Sequence, residues 1–144
     1  MWNQNGRICL WRYTENQRNY PGWHLSADAD GCASLLSLLD QLPTATAAYR
    51  TLQITAPSAA QLRVPNNRAA GWLAPCRLRI EWAAHPATWL LPEVLDPAQL
   101  SLGADWLAPL RAGIADIAER RGDYAIGNRD ARLWFWWWPR PLAD

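Results

Sequence analysis

The sequence predicts an α+β fold, a mostly antiparallel sheet with two helices, in a single domain over residues 1–144. Three observations predict it. Short apolar or alternating stretches, each stopped by proline, glycine or a polar turn, recur along the chain and read as strands. Only two stretches space their apolar residues for a helix. Their order (strand, helix, several strands, helix, hairpin) is too irregular for βαβ repeats and too poor in helices for a bundle. A chain of 144 residues, half of them apolar, can bury one proper core, and no repeat or linker divides it.

The elements follow in order. Arg7–Tyr13 is a first strand, and the polar run Thr14–Asn19 a loop. Trp23-His24-Leu25 is a short extended piece leading to a helix for which Ser26, Asp28 and Asp30 compete as N-cap. That helix aligns Cys32, Leu35, Leu36, Leu39 and Leu42 and ends at Pro43. Thr51–Thr55 alternates as a strand, residues 57–71 read as a loop, and Pro65-Asn66-Asn67 as a turn. Arg77–Trp82 is the clearest half-buried strand, with Leu78, Ile80 and Trp82 on one side and Arg77, Arg79 and Glu81 on the other. Trp89-Leu90-Leu91 and Gln99–Leu102 are two short strands. The second helix, Asp105–Arg121, is expected to bury Trp106, Leu110, Ile114 and Ile117 and to expose Arg111, Asp116 and Glu119. Pro109 is placed in its first turn and Gly122 at its left-handed end. A hairpin turning at Gly127-Asn128-Arg129-Asp130 closes the chain.

The returning strand, Leu133-Trp134-Phe135-Trp136-Trp137-Trp138, is the most informative segment. Six large apolar residues in succession leave no polar face, so the strand must be covered on both sides and lie inside a sheet. Leu133, Phe135 and Trp137 should share the face under the helices. Trp134, Trp136 and Trp138 are then either covered by a loop such as 57–71 or presented as an interaction patch, tryptophan and arginine being enriched at binding hot spots.

Composition narrows the function. All 14 basic residues are arginine, against 13 acidic ones, for a net charge of +1. That balance argues against a dedicated nucleic-acid binder, which needs a basic stripe. No run reaches 18 apolar residues and no basic-then-apolar leader opens the chain, so no membrane partner is expected and a cytoplasmic location is. Cys9, Cys32 and Cys76, odd in number and far apart, read as reduced, buried thiols.

Catalytic chemistry finds no foothold. His24 and His85 lack partners at metal-ligand spacing, and no metal or cofactor is expected. A Cys32–His24 pair is opposed by the place of Cys32 on the apolar helix stripe. Helix capping accounts for Asp28 and Asp30 with less assumption than a carboxylate pair, and no phosphate-binding glycine loop exists. The chain reads as a binding module, not an enzyme.

From Trp106 onward, a helix ending in glycine, then Gly122-Asp123-Tyr124-x-Ile126-Gly127 and Leu133-Trp134-Phe135-Trp136-Trp137, resembles small bacterial immunity-type proteins. These neutralise polymorphic toxins of contact-dependent or type VI secretion systems. Trp23-His24-Leu25-Ser26-Ala27-Asp28 is similar to an element of related proteins, so the resemblance covers about a third of the chain. It implies a cytosolic protein whose partner is a cognate toxin domain, bound through a patch of aromatic and charged groups. The expected patch is Arg77, Arg79 and Glu81, with Trp134, Trp136 and Trp138 and, at the hairpin margin, Asp123 and Arg129. Self-association stays open. The alternative is a carbohydrate or small-ligand binding domain using exposed tryptophans.

Overall fold

The computed structural model describes residues 2–15, 18, 20–44, 49–67, 69–128 and 130–139. Within them, β1 (Ile8–Tyr13), β2 (Trp23–Ala27), β4 (Trp72–Leu73), β8 (Tyr124–Asn128) and β9 (Ala131–Phe135) form one sheet, ordered β4-β1-β2-β9-β8. A second sheet, ordered β3-β5-β7-β6, is built from β3 (Tyr49–Gln53), β5 (Arg77–Trp82), β6 (Trp89–Leu90) and β7 (Ala98–Leu102). The helices are α1 (Ala29–Gln41), α2 (Ala59–Arg63) and α3 (Ala104–Ala118). The α+β class is as expected, but the strands divide between two sheets. Each sheet is antiparallel except for one internal parallel pair, β2–β9 in the first and β5–β7 in the second.

Strand alternation sorts the first sheet into two unlike faces. Ile8, Leu10, Leu25, Leu133 and Phe135 point to α1 and α3 and join Leu52, Leu78, Ile80, Leu100 and Leu102 of the second sheet in one core. Cys9, Trp11, Tyr13 and Trp136 point the other way and pack beneath Leu62, Val64, Ala70 and Trp72. The 57–71 segment therefore covers the second face, one of the two arrangements the tryptophans allowed.

The helices obey local chemistry. Asp28 is the N-cap of α1: its Oδ1 accepts the Gly31 N–H at 2.8 Å and the Arg7 N–H at 2.9 Å. Burial pushes its carboxyl up, but these two N–H groups and the Arg7 guanidinium outweigh that and hold it below the usual range. Arg111 of α3 forks onto Asp40 of α1 at 2.8 and 3.0 Å, tying the two helices together at the surface.

Several expectations need correction. Residues 57–71 are not all loop: Ser58 and Gln61 form a reciprocal capping box that starts α2. Pro109 lies past the first turn of α3, where its missing N–H removes the bond that the Asp105 carbonyl would accept. The left-handed residue after α3 is Arg120, at φ 61°, with the N–H of Arg121 returning to the Asp116 carbonyl at 2.7 Å. Gly122 serves close approach instead, since a Cβ there would lie 2.8 Å from the Phe135 carbonyl oxygen. Trp106 and Asp116 are half-buried rather than buried and exposed. Asp116 accepts the Tyr124 hydroxyl at 2.6 Å. Cys76 is exposed.

The tryptophan strand stands inside its sheet, between β2 and β8, as its lack of a polar face requires. It ends at Phe135, however, not Trp138. Beyond Trp136, whose N–H still reaches the Leu25 carbonyl at 3.0 Å, the chain leaves the pleat. Trp137 therefore packs with Trp134, Trp136 and Trp138 instead of sharing the helix side with Leu133 and Phe135.

Candidate functional site

The expected patch is split by the fold. Arg77, Arg79 and Glu81 lie on the outward side of β5, in the second sheet, whereas the tryptophans belong to the first. Register places Gln53, Thr51 and Tyr49 beside them on β3, and Gln99 and Ser101 beside Arg79 and Glu81 on β7. The Arg79 guanidinium sits 4.0 Å from the centre of the Tyr49 ring, which is 42% exposed, so the charge is held on an aromatic face open to solvent. Ser101 donates weakly to Glu81 at 3.4 Å. A cleft of about 200 Å³ separates Arg77 and Arg79 from Asp96 and Pro97.

The tryptophans are mostly interior. Trp136 is 2% exposed, so it cannot be a contact surface. Trp134 is half-buried and donates its indole N–H to the Pro21 carbonyl at 2.9 Å. Trp138 is half-buried, with the Arg7 guanidinium 5.0 Å from its ring centre. Asp123 is exposed at the entry to β8 with φ 76°, its N–H donated to the Phe135 carbonyl at 2.8 Å. Arg129 lies outside the described residues.

His24 sits at the centre of the aromatic layer, with no exposure. Its ring runs nearly parallel to those of its cross-strand neighbours, Trp11 at 5.5 Å and Trp134 at 6.4 Å, with the Tyr13 ring edge-on at 4.8 Å. Nδ1 lies 2.9 Å from the Trp136 indole nitrogen, which can only donate, so Nδ1 is the acceptor. Nε2 lies 3.1 Å from the Tyr20 carbonyl, which can only accept, so Nε2 carries the proton. This fixes a neutral imidazole with both nitrogens engaged. Burial pushes its pKa down to about 4, against a small upward pull from the Tyr20 carbonyl.

The thiols are equally committed. Burial raises Cys9 to about 11 and Cys32 to about 12, far from a thiolate at neutral pH. Cys32 faces the Ala27 carbonyl at 3.6 Å, and His24 lies on the opposite side of β2. His85 is exposed and accepts the Ala87 N–H at 3.2 Å within its own turn. Among the described residues, no group of three or more His, Cys, Asp or Glu side chains is placed to hold a metal ion.

Sequence reasoning missed a cleft of about 580 Å³ where the edge of the second sheet meets the end of the first. Arg12, Tyr13, Trp23, Leu90, Glu93 and Arg132 line it. Two indole bonds anchor its wall: Trp23 donates to the Pro92 carbonyl at 3.0 Å and Trp89 to the Ala131 carbonyl at 2.9 Å. The one signal in the sequence is Arg12, which stands in the same alternating row as Ile8 and Leu10 where a core side chain would be expected. No helix among the described residues is long and apolar enough to cross a membrane. No family model, no curated protein and no solved structure matches this chain.

Proposed function

We propose that this protein is a cytoplasmic binding module of the immunity type, which neutralises a toxin by docking on it. The observation that carries the reading is the outward side of β5. There Arg77, Arg79 and Glu81 project from an internal strand of the second sheet, and Arg79 is pre-ordered on the exposed Tyr49 ring. A charged and aromatic surface on a rigid strand loses little freedom on binding, and its charges guide encounter with a complementary partner. The buried side chains that could do chemistry, by contrast, are spent on packing. His24 is locked neutral, and the Cys9 and Cys32 thiols are held protonated.

The competing carbohydrate reading needs an open tryptophan face. All eleven tryptophans are buried or half-buried, and among the described residues the exposed large apolar side chains are Tyr49, Leu73, Leu90 and Val94. This favours protein docking over sugar stacking. The experiment is co-expression with the product of each adjacent gene. The proposal expects one of them to be toxic alone, harmless with this protein and bound to it in a purified complex. Neither binding nor protection with any neighbour would remove the immunity reading.

A further inference from the structure

The cleft between the sheets is a second surface with its own chemistry. The Arg12 guanidinium is half-buried and held over the Trp23 ring, 5.5 Å from its centre. No described carboxylate lies within ion-pair distance of Arg12, although Glu93 and Asp130 line the same cleft and are exposed. Leu90, which also lines the cleft, is 60% exposed.

We propose that this cleft receives a loop of a partner protein that sets a single carboxylate side chain on Arg12 and an apolar neighbour on Leu90. The inference rests on the protein-binding reading above and names the chemistry of its partner. A guanidinium already stacked on an indole is pre-organised for a two-pronged bond to a carboxylate, and being partly desolvated it gains more from that bond than a surface arginine. Glu93 and Asp130 offset Arg12 and Arg132 in the same cleft, so the surface favours a single carboxylate set on Arg12 over a run of acidic groups. The exposed Leu90 suits a protein loop, since a small carboxylate seated on Arg12 would leave it in water.

Selection of a random peptide library on the full chain tests this without knowledge of the toxin. Enriched peptides should carry one Asp or Glu beside an aliphatic residue. Arg12→Gln and Leu90→Asp should each weaken such a peptide by about tenfold or more. Arg79→Gln, on the other sheet, should leave it unchanged. Leu90 is open to solvent, so its variant keeps the test valid if Arg12→Gln folds poorly. No enrichment, basic or uncharged peptides, or undiminished binding to Leu90→Asp would overturn the assignment. The two proposals fail separately. A toxin that binds the parent and Leu90→Asp equally removes this cleft but keeps the immunity reading. Acidic peptides that bind here, with no neighbouring toxin recognised, keep the cleft and remove the immunity reading.

Discussion

The two faces of the five-stranded sheet solve the same problem, covering β9, with opposite chemistry. On the helix side, Ile8, Leu10, Leu25, Leu133 and Phe135 meet aliphatic residues of α1, α3 and the second sheet, and the indoles at its margin, Trp23 and Trp89, are each bonded to a backbone carbonyl. A Cβ on Gly113 would collide with the Phe135 ring, so that contact between α3 and β9 requires glycine. On the other side, Trp11, Tyr13, His24, Ser26 and Trp136 lie under a cover built from one short helix and its flanking chain. There His24 is fully bonded, but Trp11 Nε1, Tyr13 Oη, Ser26 Oγ, Gln61 Nε2 and Asn67 Nδ2 are buried with no partner among the described residues. Each such group costs about 1–3 kcal/mol if unpaired. The aliphatic face is held mainly by burial, while the aromatic face also draws on a His24 ring that burial keeps neutral.

The sharpest way to break this comparison is to remove the strand both faces share. Truncation after Asp130 takes β9 out from between β2 and β8, together with Trp136. At roughly 1.5–3 kcal/mol for each buried side chain, that loss rivals the roughly 5–15 kcal/mol stability of a whole domain. No cooperative melting should remain by circular dichroism. A variant that still unfolds cooperatively would show that β9 is not central.

Single substitutions then weigh the faces against each other. Trp136→Ala should destabilise by about 3–5 kcal/mol in denaturant unfolding and free Nδ1 of His24. Ile114→Ala, on the aliphatic side and 1% exposed, should cost about 2–5 kcal/mol. A negligible loss at Trp136 would mean that the aromatic cover is loose.

Acid separates the faces by sign. The folded pKa of His24, about 4, lies below the unfolded value of 6.5, so the unfolded chain binds more protons between those pH values. Stability should fall as pH drops through that window, by about 3 kcal/mol in all. Asp28 and Asp116, held below the usual carboxylate range, lose their contributions only at lower pH. Ile114→Ala should keep the slope between pH 6.5 and 4, and His24→Phe should abolish it. An unchanged slope in His24→Phe would place the titrating group elsewhere. Smallest of all, Glu119→Ala, exposed at the end of α3, should change stability by only about a few tenths of a kcal/mol.

What could be read in advance was local. The alternation of Leu78, Ile80 and Trp82 with Arg77, Arg79 and Glu81, the six apolar residues from Leu133 and the helical spacing of α1 and α3 each sit within one segment. Sheet membership was not legible, because β5 pairs with β3 and β7 while β9 pairs with β2 across more than a hundred residues. Residues Ala59–Arg63 are too few to show a helical period, and only Ser58 and Gln61 announce α2. The cleft drew on Arg12, Trp23, Leu90 and Arg132 from four separate segments, so no single segment could show it.

The central claim is that aromatic residues work inside this protein and arginines outside it. Calorimetric titration of the Arg77→Glu, Arg79→Glu double variant, alongside the parent, with whichever adjacent gene product the co-expression experiment identifies as a toxin tests it most directly. Binding should weaken by about tenfold or more with the melting temperature unchanged. Parent-like affinity would contradict the account and move the interface away from β5.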